Sequence, residues 1–578
     1  MPLHSTTAAP KGSKPQLPIS QTERQEDVRR VDNRPSTLVR LPPETQENVL
    51  LNLVTDDPEE TVRNLNRFKR TSKANELFIN THPKLGRIYS HLTRASEIAA
   101  ELSDCLCDIR RSEVPEAGRT SGPDQVDYSQ LSGDAIGAHG HMLCLLTSGR
   151  RSALVKATLA HQDHYEQAFA IAGLAMGLRY LKREERTALV KATLDVRDPR
   201  ARAYAIGLPP TGDYIPVPAT GLGCGLGYLT EQERQALVRT VRRTKDPAER
   251  AMGIAALAPG FKHLEPEQVK NLVRMIYDPQ HPRALGRGSA TRAIWGLGPG
   301  LEHIAPVQRG ELLAVVCDRT HPYAPLDHPD KAMAMSAFLS GVAHIDPAQR
   351  NTLFNMIADP DHPNGFANSD CRGIVVAACG AGISHFSAEQ QKTLLDMMIV
   401  PVEDEPDTDR AFRSKAVSGI GPGLRYLPAE ARDELMKMFL RPEQANTLIR
   451  SGQAIGGMGI GLGALNVHYR KSLVSAALAC EERQKAIAIA GLGQEAEFLE
   501  EEDFSKLVKG VQELPLTAFE VGGDLVEQDS RSMAIQGLAK GLENWTAKVL
   551  ALERGRTLQR ALSSAFRPDD RARQDFGR

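Results

Sequence analysis

Apolar residues recur at helical spacing along most of this 578-residue chain. In a typical stretch, Val269, Leu272, Val273 and Ile276 lie three or four positions apart and therefore share one face of a helix. Helix-start signals precede many such stripes. One example is TEQE from Thr230, a capping box in which the Thr and Glu side chains satisfy backbone N–H groups at the helix start. The pattern predicts helices in succession and an all-α fold.

A glycine-rich segment separates pairs of these helices. Its clearest copy is GLGPGLEHI at 296–304, and related segments recur at a step of about 40 residues. The third glycine, or its replacement, stands at 142, 177, 225, 260, 300, 341, 382, 423, 461, 495 and 541. The period is similar to that of HEAT and armadillo repeats, which are built from packed helices. The sequence therefore predicts a right-handed α-solenoid of about eleven two-helix repeats of roughly 40 residues.

The glycines themselves admit two interpretations. A single glycine-rich loop between a strand and a helix would indicate a phosphate-binding site. This segment instead recurs many times and follows no β-branched strand. We therefore interpret the glycines as residues at the end of the second helix, where they allow neighbouring helices to approach closely and permit the left-handed conformation that ends a helix.

A column of ring-bearing residues follows the glycine segments. Its members are Tyr180, Tyr228, His263, His303, His344, His385 and Tyr426. Equivalent positions of a solenoid stack into a ridge. The rings either pack on the next repeat or form a ridge that binds a partner, because Tyr and His combine an apolar face with a polar edge.

A second column has the pattern Asp-x-x-His-Pro. It begins at Asp278, Asp318 and Asp359, with histidines at 281, 321 and 362. One Asp/His pair alone would suggest a metal or acid–base site. Three copies near the repeat period, each followed by proline, indicate turns instead, because Asp hydrogen-bonds its own turn backbone and Pro ends a helix.

Composition and charge argue against several classes of function. The net charge of −1 gives no general attraction to nucleic acid, and we find no Lys/Arg column at the repeat spacing. No apolar run is long enough to span a bilayer, so we expect no membrane partner. The eight scattered cysteines favour a reduced, cytoplasmic compartment over disulfides or zinc. Without a catalytic or nucleotide motif, we expect neither an enzyme, nor a metal, nor a cofactor.

Residues 39–80 do not follow the repeat pattern. Short amphipathic helices are predicted there, the second opening at Asp57-Pro58 with Leu65 and Phe68 in its apolar stripe. The stretch resembles an F-box, whose Leu-Pro, acidic, Ile-Leu and Leu positions are matched by Leu41, Pro42, Glu44, Val49, Leu50 and Leu53. The resemblance covers about 40 residues. It departs from the family because the segment lacks Trp and has Thr45 and Gln46 where apolar residues are usual.

The resemblance implies a function. F-box proteins dock on the Skp-type linker subunit of a cullin–RING ubiquitin ligase and present a target protein to it. The residues that match the motif, with Leu65 and Phe68, would form the docking surface, and the repeats would bind a target of unknown identity. The layout is also similar to bacterial type III F-box effectors, which act in the cytoplasm of host plant cells.

Two alternatives remain open. Residues 39–80 would serve only as an N-terminal cap if the chain were an α-solenoid scaffold without ubiquitin machinery, since open arrays need capped ends. An enzyme with a site in the groove has no motif to support it. The expected organisation is a disordered segment at 1–38, the F-box-like module at 39–80, a helical linker and loop at 81–135, the repeats at 136–550 and a polar tail at 551–578.

Overall fold

The computed structural model describes residues 45, 49–50, 52–107, 126–207, 220–359, 361–366, 369–399, 407–440, 451–515, 518–521 and 526–565. The chain divides into two compact units. The first, called the N-terminal module, comprises Met1–Thr55 and Glu60–Tyr89. The second, called the array, comprises Asp56–Glu59 and Ser90–Arg578.

Two helices and the start of a third form the described part of the N-terminal module. They are α1 (Pro58–Thr71), α2 (Lys73–Thr81) and α3 (Leu85–Cys107), which continues into the array. Side-chain hydrogen bonds order the segment before α1. The buried Thr61 accepts a hydrogen bond from the backbone N–H of Thr55 at 2.9 Å, and Asn64 donates to the carbonyl oxygen of Leu53 at 3.3 Å.

The array alternates helices of two kinds. Outer helices bury one face and expose the other, as their amphipathic sequences require. They are α3, α5 (Ser148–Ala160), α7 (Arg183–Asp195), α9 (Glu231–Arg243), α11 (Pro266–Tyr277), α13 (Pro306–Cys317), α15 (Pro347–Ala358), α17 (Ala388–Ile399), α19 (Ala429–Phe439), α21 (Val467–Leu478) and α23 (Glu501–Gln512). Capping residues start many of them. In α9, Thr230 and Glu233 form the predicted reciprocal capping box.

Inner helices are buried nearly all round and contact one another in chain order. They are α4 (Gly133–Gly137), α6 (His164–Leu174), α8 (Pro199–Ile206), α10 (Pro247–Leu257), α12 (Arg287–Gly296), α14 (His328–Ser340), α16 (Ser369–Cys379), α18 (Asp407–Ser418), α20 (Gly452–Gly459), α22 (Glu482–Gly493) and α24 (Ser530–Ala565). Each outer helix precedes an inner helix, so the described residues contain eleven two-helix repeats. The predicted all-α solenoid is confirmed, and its right-handed sense stays a prediction.

Glycines allow the inner helices to touch through their backbones. A Cβ atom on Gly173 would overlap the backbone of Gly137 in the preceding inner helix, and one on Gly300 would lie 2.5 Å from the carbonyl oxygen of Ala258. The predicted close approach is therefore confirmed. The predicted left-handed conformation is wrong for nearly all of them: among the described glycines, positive φ occurs at Gly221 and Gly286. Most repeats instead end in a short 3₁₀ segment, such as Gly298–His303.

The array closes on itself. Helix α24 of the last repeat packs against α4 and the 3₁₀ segment Gly140–Cys144 of the first. At this seam, Glu543 accepts a hydrogen bond from His141 Nδ1 at 2.7 Å and from Arg179 at 2.9 Å. The first and last outer helices are joined by a hydrogen bond from Gln512 to Glu101 at 2.8 Å. Helix α3, within the predicted linker, is therefore an outer helix of the first repeat.

A short hairpin precedes the last inner helix, and sequence periodicity did not predict it. Strand β1 (Ala518–Val521) pairs antiparallel with β2 (Val526–Asp529), so that Ala518 lies opposite Asp529. The hairpin is an insertion into an otherwise helical repeat. Helix α24 itself is longer than its counterparts and continues to Ala565, into the stretch interpreted from sequence as a polar tail.

Candidate protein-binding surface

The predicted column of rings lies where each 3₁₀ segment ends, one residue before the extended residue that leads into the next outer helix. Tyr228 and Tyr426 are 46% and 45% exposed, and His303 and His385 are also exposed. Tyr180, His263 and His344 are half-buried. We call this column the ridge. The structure therefore places all seven predicted residues at the array surface.

Packing and exposure are combined in these rings. The His263 ring covers Gly227 of the preceding repeat so closely that a Cβ atom there would lie 2.6 Å from its Nε2. Phe498 covers Gly463 in the same way. Burial, with the nearby charge of Lys262 as a smaller cause, lowers the pKa of His263. The ridge thus packs between repeats with part of each ring and exposes the remainder.

The two ends of the ridge carry arginines on their rings. The Arg179 guanidinium lies 4.4 Å from the centroid of the Tyr180 ring, and that of Arg425 lies 4.8 Å from the centroid of Tyr426. These distances are those of cation–π contacts. Burial raises the pKa of the Tyr180 hydroxyl. The end rings therefore already have a cationic neighbour on one face.

Sequence inspection missed a column of arginines. They stand nine residues after the third glycine or its replacement, a fixed offset that would have revealed them: Arg151, Arg186, Arg234, Arg309, Arg350, Arg432 and Arg470. The expectation that no such column exists is therefore wrong. Five of them donate to carbonyl oxygens of a 3₁₀ segment or of the residues after it, as Arg309 does to Ile304 at 2.9 Å and Arg350 to His385 at 2.8 Å. These arginines satisfy carbonyl groups that the turn leaves without helical partners.

A matching column stands ten residues before the third glycine. Its members are Gln167, Arg250, Lys331, Arg372, Arg413, Lys485 and Arg531. Most of them donate to carbonyl oxygens at the C-terminal end of the preceding outer helix or in the residues that follow that helix. Arg372, for example, donates to Ile357 and Ala358, both at 2.9 Å. Side chains of this column, most of them cationic, therefore hold the turn between the two helices in several repeats.

The Asp-x-x-His-Pro segments are turns, as predicted. Asp318 accepts a hydrogen bond from the backbone N–H of Thr320 at 2.8 Å, and His321 Nδ1 accepts one from Tyr323 at 3.1 Å. Hydrogen bonds from Thr320 lower the pKa of Asp318. The other two copies make the equivalent bonds. Each Asp and His therefore has a partner within its own turn.

A cleft opens on the ridge between two middle repeats. It has a volume of about 470 Å³ and lies where α13 and α15 begin. The cleft has three apolar lining residues and four polar or charged ones: Pro306, Ala343, Ile345, Arg309, His344, Asp346 and Gln349. Val307, next to Pro306 in sequence, is 77% exposed. Exposed apolar and polar groups thus occur together at this position of the ridge.

The F-box-like residues fall into three groups. Leu41, Pro42 and Glu44 lie outside the described residues. Leu50 and Leu65 are buried, whereas Leu53 and Phe68 are half-buried. Val49 is 42% exposed. Within the described part of the module, Val49 is therefore the motif position whose side chain is most available to a partner.

Among the described residues, no group of three or more His, Cys, Asp or Glu side chains is arranged to hold a metal ion. Within the same ranges, no helix combines the length and apolarity needed to cross a membrane.

The fold defines the chain as an α-helical repeat protein. No protein-family model matches it, and no curated protein matches it. Among solved structures, it is similar to a crystal structure of an engineered protein, with 13% identity over 77% of this chain and 98% of that one, at a TM-score of 0.22. It is also similar to a homology model of the full-length AP-3 complex in an intermediate open conformation, with 12% identity over 82% and 81% of the two chains, at a TM-score of 0.23. Neither similarity is high enough to indicate a function.

Proposed function

We propose that this protein is an adaptor of a host cullin–RING ubiquitin ligase. Its N-terminal module would dock on the Skp-type linker subunit, and its array would bind a target protein. The observation that carries the proposal is the F-box-like spacing from Leu41 to Leu53, followed by helices α1 and α2. The exposure of Val49 supports it, because a docking residue needs an accessible side chain.

The adaptor needs no catalytic group of its own. Holding a target beside the ubiquitin-loaded enzyme raises the effective concentration of the target's lysines, which accelerates transfer without new chemistry. The contribution of this chain would be two binding surfaces on one polypeptide. The ridge, which runs over many repeats, is suited to be the surface that binds the target protein.

Closure of the array supports docking over the cap alternative. An open solenoid requires a capping element at each end because its terminal repeats would otherwise expose apolar surface. Here Glu543 of the last repeat contacts His141 of the first repeat and Arg179 of the second. Within the described residues, the terminal repeats cover part of one another, which supports a role for residues 39–80 other than capping.

We further propose that the protein is delivered into the host cytoplasm by a bacterial type III secretion system. The Ser-, Thr- and Pro-containing composition of residues 1–38 supports this route, as does the combination of an F-box-like motif with a repeat array. Delivery of the first 38 residues fused to a reporter, compared between secretion-competent and secretion-deficient bacteria, tests it. Equal delivery by both strains would contradict the proposal.

Docking is tested by capture of a purified plant Skp-type subunit on the full-length chain. We expect the unmutated chain to bind and Val49→Asp to weaken binding at least about tenfold, because a charge would enter an apolar interface. The double variant Leu41→Ala with Pro42→Ala should do the same. Leu77→Asp, at a 65% exposed position of α2 outside the motif, is the matched control and should bind normally. Failure of the unmutated chain to bind would overturn the proposal.

A further inference from the structure

Arg151, near the start of α5, forms an ion pair with a carboxylate that is far away in the sequence. Its two terminal guanidinium nitrogens lie 3.0 and 3.2 Å from the two carboxylate oxygens of Asp57. The side chain of Arg151 is 5% exposed, and that of Asp57 is 28% exposed. Two-point pairing of Arg with a carboxylate is among the stronger hydrogen-bonded contacts in proteins. Asp57 therefore balances a buried cation, which would be costly to bury alone.

Asp57 belongs to the array and stands immediately before α1. Its carboxylate also accepts a hydrogen bond from the backbone N–H of Glu59 at 2.9 Å, as the side chain of a helix N-cap does. Earlier in the chain, the backbones of Leu53 and Thr55 are hydrogen-bonded to side chains of α1. The segment that joins the F-box-like motif to α1 is therefore held by hydrogen bonds, and its last residue is paired with Arg151.

Arg151 also holds the two turns that supply the seam contacts. Its Nε donates to the carbonyl oxygen of Leu146 at 2.9 Å, shortly after the 3₁₀ segment that contains His141. Its guanidinium also donates to the carbonyl oxygen of Tyr180 at 2.9 Å, and Tyr180 is adjacent to Arg179. His141 and Arg179 are the residues that donate to the last repeat across the seam. One side chain therefore supports both of the turns that carry these donors.

The seam depends on side chains more than most junctions between repeats do. A Cβ atom on Gly177 or Gly541, each the third glycine of its segment, would overlap a backbone carbonyl oxygen of the preceding repeat. The first repeat has the buried Met142 at this position, and its 3₁₀ segment faces α24 of the last repeat. The direct backbone contact made by glycine at other junctions is thus replaced at the seam by side-chain contacts. Such a junction responds to whatever positions its side chains.

We propose that the Asp57–Arg151 pair, hereafter the latch, couples the docking segment to closure of the array. While the latch is formed, Arg151 holds the turns that carry His141 and Arg179, and the seam is closed. A partner that holds Val49 fixes the chain shortly before Asp57 and so reduces the entropy lost when the latch forms. Docking and closure then favour one another, as thermodynamic linkage requires. The effect of a docked partner rests on the proposed function, whereas the latch itself does not.

Hydrogen exchange of the full-length chain, measured by mass spectrometry, tests the latch without any partner. Asp57→Asn removes the charge and retains the helix cap, because Asn is also a favoured N-cap residue. We expect exchange at 140–146 and 537–546 to rise about tenfold, because a charge-assisted pair is lost, and exchange at 266–277 to stay unchanged. Asp195→Asn, at the exposed end of α7, is the matched control and should change none of these segments.

The path through Arg151 is tested by two further variants. In an Arg151→Met chain, Asp57→Asn should cause no additional exchange at the seam, because the latch is already broken. In Glu543→Ala, exchange should also rise at 54–65, around the start of α1, because coupling is reciprocal. The inference is overturned if Asp57→Asn affects the seam no more than it affects 266–277, or if Glu543→Ala leaves 54–65 unchanged.

A purified plant Skp-type subunit tests the effect of docking. At saturation it should slow exchange at 537–546 in the unmutated chain. Glu543→Ala, far in sequence from the F-box-like motif, should weaken docking about threefold, whereas Glu311→Ala, at an exposed position of α13, should dock normally. Docking that leaves 537–546 unchanged would overturn the coupling. If the unmutated chain does not dock, the proposed function fails and the effect of docking fails with it, whereas the latch is decided by the exchange results alone.

Discussion

Gly173 illustrates why glycine recurs at the ends of the inner helices. Its Cα faces Gly137 of the preceding inner helix, and the missing side chains let the two backbones meet directly. Similar glycine-to-glycine approaches join Gly380 with Gly419 and Gly456 with Gly491. The requirement is spatial rather than conformational, because the described φ values are negative at nearly all of these sites. The glycines therefore recur because neighbouring inner helices pack too closely for a side chain at these positions.

We expect Gly173→Ala to lower the free energy of unfolding by about 3 kcal/mol or more, because the new methyl group would overlap backbone atoms that cannot move independently. The matched control is Gly310→Ala in the middle of α13, where the nearest atom to an added Cβ is 3.6 Å away on the flexible Gln349 side chain. That variant should gain about 0.5 kcal/mol or more from helix propensity. Urea denaturation followed by circular dichroism measures both. Equal effects would contradict the role assigned to Gly173.

At the scale of the element, several 3₁₀ segments are held by a side chain from the outer helix that follows or from a neighbouring repeat. Arg309 donates from one guanidinium nitrogen to the carbonyl oxygens of Leu301 at 3.1 Å and Ile304 at 2.9 Å. Arg234 makes the equivalent bond to Leu229 at 2.8 Å. These interactions fix the angle between an inner helix and the next outer helix. They also hold the ring residue that lies between them at the surface.

We expect Arg309→Met to destabilise the protein by about 2 kcal/mol, because the two carbonyl groups lose their donor while the aliphatic stem is largely retained. Arg319→Met, at an exposed position of the following turn, should change stability by less than about 0.5 kcal/mol. Differential scanning calorimetry compares the Tm values. In the first variant, hydrogen exchange should also increase at residues 298–304. No difference between the variants would contradict the capping role.

For the array as a whole, closure is the main structural outcome. One continuous hydrophobic core extends from Ala95 to Leu542, so the first and last repeats belong to the same cooperative structure. In an open array each repeat contacts only its neighbours, and the ends are its least protected parts. Here the side chains of His141, Arg179 and Glu543 join three repeats at the seam. Both terminal repeats should therefore be as protected as the middle ones.

We expect Glu543→Ala to increase hydrogen exchange at both 140–146 and 537–546, although these segments are far apart in sequence. The substitution removes the acceptor shared by His141 and Arg179, and the buried His141 would lose its partner at Nδ1. Glu311→Ala, at an exposed position of α13, is the control and should have no such effect. Exchange that rises only near residue 543 would contradict closure by this contact.

The seam should also make stability depend on pH. Burial, together with the nearby carboxylates Glu166 and Asp529, raises the pKa of Asp134 to about 8. Since this pKa is above its unfolded value, the neutral carboxyl stabilises the fold fully below about pH 4, and this contribution is lost as pH rises to about 8. Asp134→Asn should therefore become more stable than the unmutated protein by more than about 2 kcal/mol at pH 8, with little difference at pH 4. Urea midpoints at both values test this, and an equal difference at both would contradict it.

Sequence alone determined the repeat. The spacing of Val269 to Ile276 predicted an outer helix, and α11 is that helix. The glycine segments predicted the number of repeats because every repeat must bury the same inner face. The ring column from Tyr180 to Tyr426 was also visible, since stacked repeats place equivalent residues at equivalent positions. These features follow from local periodicity, which a sequence records directly.

Only the tertiary structure decided the features that depend on contacts between residues far apart in the sequence. It assigned the glycines to backbone contact, and it showed that Arg309 and its counterparts serve turn carbonyls rather than a surface. It placed Leu50 in the interior and Val49 at the surface, although the two are adjacent in the motif. Closure of the array was also decided at this level. It depends on the small rotation between successive repeats, which accumulates over eleven of them until Glu543 meets His141, and no local pattern encodes that sum.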